Sequence, residues 1–208
     1  MKHVLKTGLV FVFASVAIGA QTFYGTTDIK TYRNGRDGEL RDKEKSPLKK
    51  VDFPKYTGLN YYPLDFSYRV FAKFKRTKDE KRLSIPTSSG KIKRYVKYAV
   101  LKFEVRDKPY TLDVYHVEKS ARKGEYKHLL FIPFKDLTNG RGSYGGGRYL
   151  FINDTKKSEV ILDFNLASNP SCAYGSDRYS CPIPPRANHL KTRIKAGEKI
   201  YHYSKAKK

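Results

Sequence analysis

Apolar and polar residues alternate with a period of two over several stretches of the chain, and this is its clearest signal. In DFSYRVFAKFK (65–75), Tyr68, Val70, Ala72 and Phe74 fall on one side and Arg69, Lys73 and Lys75 on the other. Successive side chains of an extended chain point to opposite faces, so this spacing predicts a half-buried strand. AVLKFEVRDKPYTLDVYHV (99–117) repeats the pattern twice: Leu101, Phe103 and Val105 oppose Lys102, Glu104 and Arg106, then Tyr110, Leu112 and Val114 oppose Thr111 and Asp113. Arg106-Asp107-Lys108-Pro109 supplies the turn between them, which makes a hairpin. Further strands are expected at Arg82–Pro86, Lys91–Val96, His128–Pro133, Arg148–Asn153 and Glu159–Leu166. A run of short antiparallel strands predicts a mainly β fold, an antiparallel sandwich or partly closed barrel.

The amino-terminal part breaks the pattern. From Asp28 to about Lys43 the chain is charged and carries Gly35 and Gly38, which suits a short N-terminal helix that is frayed or interrupted. SPLKKVDFPKYTGLNYYPLDFS follows, with Pro47, Pro54 and Pro63 among aromatic residues. Each proline is disfavoured in a helix interior and a sheet centre, so the segment reads as an extended arm laid over a core. Ahead of both, MKHVLKTGLVFVFASVAIGA has a basic start, a mostly apolar run from Gly8 to Ile18 and small residues at Gly19 and Ala20, the form of a secretory leader cut after Ala20. The run is shorter than the roughly 20 residues that span a bilayer, so the mature part is expected to have no transmembrane segment. Three regions are therefore expected: a leader over 1–20, a helix and arm over 21–65, and a β-rich domain over 66–208.

Composition changes this picture in one respect. A hydrophobic share of 39% with 14% aromatic residues excludes wholesale disorder. Against 20 acidic residues stand 43 lysines and arginines, and the leader holds only two of those basic residues. Such a chain is drawn toward anionic partners, a polar or anionic ligand or an anionic envelope surface, or else it has a solvated basic surface. Export removes it from most nucleic acid, and no zinc-finger spacing or RNA-binding aromatic signature accompanies the charge, so nucleic acid is not the expected partner.

Candidate chemistry is confined to two loops. FKDLTNGRGSYGGGRYL (134–150) holds five glycines between two apolar strands. Its backbone could approach a ligand at Gly145 and Gly147, with Tyr144 and Arg148 orienting it and Asp136 at the entrance, or the glycines could serve a connection that needs positive φ angles. It lacks the Lys-Ser/Thr of a phosphate-binding P-loop and the order of a dinucleotide fingerprint, and no cofactor is expected. The second loop, NPSCAYGSDRYSCPIPPRAN (169–188), contains both cysteines, Cys172 and Cys181. An even cysteine count in an exported chain suits a disulfide, while a reactive thiol or a metal site with His189 and Asp177 is the alternative. None of the five histidines (His3, His116, His128, His189, His202) has a zinc-enzyme spacing, and no metal is expected.

Several motifs occur together in one order: YYPLDFSYRVFAKF, SIPTSSG, FIPFKDLTNGRGSYGGGRYL, VILDFNLA, NPSCAY and YSCPIPP, then Asn188. In this the chain resembles the prokaryotic family called domain of unknown function 1684, over roughly Ser46 to Lys199. The resemblance implies no particular activity, but it picks out Asp136, Thr138, Gly140, Tyr144, Gly145, Gly147, Arg148, Asp163, Asn165, Asn169, Pro170, Cys172, Cys181, Pro182, Asn188 and the late Ala196–Lys199. It also implies that the cysteine pair occurs in members without an export leader, which keeps thiol and metal chemistry open. The high lysine content, and tyrosine where the family's early segment often has tryptophan, are departures.

If Val160, Leu162, Phe164 and Leu166 face the core, Ile161, Asp163 and Asn165 share the other face and could meet Arg148 across a hairpin through Asn153–Lys157. Such a cluster is either a satisfied network or the floor of a pocket. Two functions follow. One is an exported envelope protein binding a polar or anionic ligand or partner beside the Gly-rich and Cys loops, through Asp136, Thr138, Tyr144, Gly145, Gly147, Arg148, Asp163, Asn165, Asn169 and Asn188. The other is a hydrolase or thiol-dependent enzyme using Cys172 or Cys181 with Asp163 and His189.

Overall fold

The computed structural model describes residues 26–78, 82–117 and 129–202. The leader with His3, as well as His128 and the basic cluster Lys205–Lys208, lies outside the described residues. Seven antiparallel strands form one sheet that curls into a half-barrel, with a single α-helix at the amino end of the described chain. The strands are β1 (Arg69–Arg76), β2 (Arg82–Pro86), β3 (Ile92–Val105), β4 (Lys108–Val117), β5 (Leu129–Phe134), β6 (Arg148–Asn153) and β7 (Glu159–Asp163). The spatial order is β6-β5-β4-β3-β1-β7, with β2 paired to β3 off that path.

β3 is the spine. Its first half pairs with β2 (Pro86 opposite Ile92), its second half with β1 (Arg76 opposite Ala99), and β4 runs along its other edge. The sequence pattern breaks this strand into two pieces, whereas the structure makes it continuous through a register shift between Lys97 and Ala99. An extra residue in one strand changes which side chains face which side. Beyond the shift Ala99, Leu101, Phe103 and Val105 enter the main core with Tyr68, Ala72, Phe74, Leu112 and Val114. Before it, Tyr95 faces the opposite side and joins Ile85, Tyr115, Phe131 and Tyr149 in a second core. β5 is consequently buried on both faces, Leu130 and Ile132 in one core and Phe131 in the other. The expected β3–β4 hairpin is present, with a two-residue turn: Arg106 and Asp107 both adopt positive φ (51° and 59°), the geometry that matches strand twist in tight hairpins.

The helix α1 (Thr26–Arg41) runs uninterrupted through Gly35 and Gly38. Each glycine in a helix interior costs about 0.5–1 kcal/mol relative to alanine, and tertiary contacts offset this. Ile29 and Leu40 are fully buried, Arg41 pairs with Asp37 at 2.9 Å, and the Tyr56 hydroxyl donates to Asp37 at 2.6 Å.

Two expectations about the last strand need correction. β7 stops at Asp163, because the Asp163 carboxylate accepts from the Asn165 amide at 2.9 Å and caps a 3-10 turn over Phe164–Leu166. Nor do β6 and β7 form a hairpin. They occupy opposite ends of the strand order, and β7 pairs with β1, Asp163 opposite Arg69. Asp163 therefore meets Arg69 (Nε to Oδ2, 2.6 Å) and not Arg148.

Candidate functional site

The Gly-rich segment is a compact, self-bonded loop. The Thr138 amide donates to Asp136 Oδ1 at 2.7 Å, Thr138 and Ser143 share a hydroxyl hydrogen bond at 2.7 Å, and Asn139 Nδ2 donates to the Ser143 hydroxyl and the Tyr144 carbonyl at 2.9 Å each. Gly147 closes it in the left-handed region (φ 98°); an added Cβ would come within 2.7 Å of the Phe134 carbonyl and of Pro184. That leads directly into Arg148, a wholly buried cation. Its guanidinium pairs with Asp136 at 2.8 Å and donates to the carbonyls of Ile194 (2.9 Å), Glu198 (3.3 Å) and Ala196. A buried charge is tolerated only when it is paired and its donors are used, and here the donors fasten the 194–198 backbone to the loop.

A second buried centre lies next to it. Glu198 is fully enclosed; its carboxylate accepts from the Asn169 amide (3.0 Å), from Asn169 Nδ2 (2.8 Å) and from the Tyr174 hydroxyl. Burial pushes the Glu198 carboxyl above its usual range, partly opposed by Tyr174 and by Arg36 of α1. Burial also raises the Tyr174 hydroxyl, and the neighbouring Glu198 adds to the effect. Asn165 holds the arm through Asp65, accepting from its amide (3.2 Å) and donating to its carbonyl (2.9 Å). Asn188 donates to the carbonyls of Asp113 (2.8 Å) and Pro133 (2.7 Å), stapling β4 to the end of β5.

The sequence-derived candidates thus separate into clusters. Asp136, Thr138, Gly147 and Arg148 come together around the Gly-rich loop; Asp163 and Asn165 sit with Arg69 and the arm; Asn169 joins Glu198, and Asn188 stands apart. All of these are buried, whereas Tyr144 is half-buried and Gly145 exposed.

Cys172 and Cys181 form a disulfide. The loop they close is fastened to the β2–β3 turn: the Ser88 amide donates to the Cys181 carbonyl at 2.9 Å, and the Cys181 amide to the Ser88 hydroxyl at 3.2 Å. The Tyr149 hydroxyl donates to the Pro182 carbonyl at 2.6 Å, which lays the loop over the second core. No contact unites these sulfurs with Asp163 or His189, since Asp163 is paired to Arg69 and His189 Nε2 lies 3.0 Å from the Pro184 carbonyl. No group of three or more His, Cys, Asp or Glu side chains suited to a metal ion occurs among the described residues.

Above the frame set by Arg148 opens a cleft of about 570 Å³. Three segments wall it: Asn60 and Tyr62 of the arm, Arg141 and Gly142 of the Gly-rich loop, and the stretch from Arg193 to His202. They are tied by backbone hydrogen bonds, Tyr62 to Gly197 (2.9 Å), Lys199 to Asn60 (2.8 Å) and Ile200 to Gly142 (3.0 Å). Along the last stretch Ile194 and Ala196 are buried while Arg193 and Lys195 are exposed, a local period of two that turns the cations outward. Arg141, Arg193, Lys195 and Lys199 line the cleft with His202, and no acidic side chain does. Among the described residues none of the four is in an ion pair; Lys199 instead lies 5.3 Å from the centre of the Tyr62 ring. Sequence reasoning missed Arg141, Arg193 and Lys195, while Lys199 lies in the late Ala196–Lys199 stretch that the family resemblance picked out. Their one local signal is the alternation Arg193-Ile194-Lys195-Ala196, in a chain where cations are common everywhere.

Architecture and site together define a curled antiparallel β half-barrel whose carboxyl-terminal stretch is clamped by a buried arginine beside a basic cleft. The chain belongs to the family described as protein of unknown function DUF1684, which matches residues 54–199. It is similar to an uncharacterized protein of Haloarcula marismortui whose solution NMR structure shares 33% sequence identity with a TM-score of 0.66, over 83% of this chain and 92% of that one. No curated protein matches the chain in sequence. The family match takes in the Gly-rich loop, the Cys loop, the Arg148–Asp136 pair and Glu198, and it begins after α1.

Proposed function

We propose that this is an exported envelope protein that binds an anionic ligand or partner in the cleft beside the Gly-rich loop. The observation that carries this reading is the convergence of Arg141, Arg193, Lys195 and Lys199 on one concavity where, among the described residues, none is paired with a carboxylate and no acidic side chain lines the wall. Like charges brought together raise the energy of the free protein, and an anion relieves that repulsion on binding. The cleft's volume falls within the range of small-molecule sites. The buried candidates Asp136, Arg148, Asn165 and Asn169 support the site from beneath, holding its three walls in register. The leader-like amino terminus supports export, and the disulfide suits an oxidising compartment. A broadly basic surface would add attraction to an anionic envelope surface, which in this reading is an auxiliary contact.

A thermal-shift screen with phosphate, sulfate and citrate tests the reading. Anions are expected to raise the melting temperature of the native protein, and the double variant Arg193→Ala/Lys195→Ala is expected to lose that gain. An equal gain in the double variant would place anion binding elsewhere.

A further inference from the structure

We infer that the cleft selects a ligand bearing several phosphate-type groups in succession, an oligophosphate or phosphodiester chain, over a lone oxyanion or a carboxylate. This rests on the cleft being an anion site and adds its chemical class.

Charge and size argue for more than one anionic group. A single phosphate would engage one or two of the four cations that line the cleft and leave the others without a counter-charge. The cleft, at about 570 Å³, lies in the roughly 300–1,000 Å³ range of sites that take ligands larger than a lone oxyanion. Arg193 and Lys195 are two residues apart on a stretch of alternating burial, which spaces their backbones by roughly 6.5–7 Å and points both side chains outward. Such a row of cations suits consecutive anionic groups.

The residue types argue for phosphate. Arg141 and Arg193 carry planar forks that bind two oxygens at once; a terminal phosphate still has a third oxygen for an ammonium such as Lys195 or Lys199, and in a chain the next phosphate brings further oxygens to it. A carboxylate taken by one fork has no third oxygen to offer. Nearby acids do not oppose this: Asp136 is neutralised by Arg148, and the Glu198 carboxylate is turned inward to Asn169 and Tyr174. The array is also held in advance, because Arg148 fixes the carbonyls of Ile194, Ala196 and Glu198, the residues that alternate with the outward cations. Preorganisation reduces the ordering cost on binding.

Titration calorimetry on the full chain would compare tripolyphosphate, orthophosphate, citrate and a short single-stranded DNA oligonucleotide at two salt concentrations. Tripolyphosphate or the oligonucleotide is expected to bind at least about tenfold more tightly than orthophosphate or citrate, and the better of the two identifies the source of the phosphate chain. Lys195→Ala and Arg141→Ala, both at exposed positions, are each expected to weaken that binding about five- to tenfold and to flatten its salt dependence, with melting temperature unchanged. Citrate or orthophosphate binding as tightly as tripolyphosphate, with the cleft variants weakened, would overturn the phosphate class while leaving an anion site. No binding of any anion, or binding indifferent to both substitutions, would overturn the inference and the anion site together.

Discussion

The guanidinium of Arg148 stands 2.8 Å from the carboxylate of Asp136 with both side chains completely buried, and the same guanidinium holds three carbonyls of the 194–198 stretch. One end of β6 is thereby joined to the Gly-rich loop and to the wall of the cleft. The pair explains why a fully buried arginine is compatible with this core. Its charge is cancelled at contact distance, and its two terminal nitrogens organise backbone that belongs to no strand, while Nε is buried without a hydrogen-bond partner among the described residues.

Removing one member of this pair leaves the other buried and uncompensated. Arg148→Met is expected to destabilise the protein by about 3–5 kcal/mol in urea unfolding. Amides of the 194–199 stretch should exchange faster with solvent than those of β3 and β4. Retention of wild-type stability and protection would mean the pair does not organise the wall.

Gly145 and Gly147 of the same loop should differ. At Gly147 the positive φ and the 2.7 Å approach to the Phe134 carbonyl leave no room for a side chain, so Gly147→Ala is expected to cost at least about 1–3 kcal/mol. At Gly145 an added Cβ would lie 3.8 Å from its nearest neighbour, so Gly145→Ala should change stability by less than about 0.5 kcal/mol. Thermal melts of the two variants side by side check this.

The disulfide closes a short loop, with a sequence separation of 9 between Cys172 and Cys181. Cys172→Ser/Cys181→Ser is expected to lose about 2–3 kcal/mol, chiefly by freeing the unfolded chain. Native protein treated with a thiol reagent before reduction should show no free thiol. Because the loop overlies Tyr149 and Phe131, the double variant should also expose the second core to a hydrophobic dye.

Glu198 gives a pH dependence of definite sign. Burial raises its folded-state pKa above the unfolded value of 4.5, so the folded protein holds this proton more tightly than the unfolded chain. The group's favourable contribution is full below 4.5 and is lost as pH rises through the raised value. Glu198→Gln cannot titrate, so the gain in melting temperature on mild acidification should be smaller in the variant than in the wild type. An identical pH profile in both proteins would show that Glu198 does not contribute.

Alternation in β1 and in the β3–β4 hairpin was legible because half-burial leaves a local mark: Ala72, Phe74, Leu101 and Phe103 repeat every second residue whatever the rest of the chain does. The Cys loop was legible as well, since its prolines disfavour a sheet centre and its two cysteines lie close together. α1 was only half legible, because Gly35 and Gly38 argue locally against a helix that Ile29 and Leu40 secure by burying themselves elsewhere.

Register and convergence left no such mark. Nothing around Lys97–Ala99 announces the shift that makes two cores from one sheet, and nothing between Asn153 and Ser158 says that β7 will cross to β1 instead of turning back on β6. For the same reason Asp163 found Arg69 while Arg148 found Asp136, and four particular cations among 43 came to share one cleft. Local pattern follows from the alternation of side chains along one strand and is written in neighbouring residues. Which strands adjoin, and which charges face one another, depends on the packing of segments far apart in the chain, where the free energy of the whole core selects among pairings that are locally equivalent.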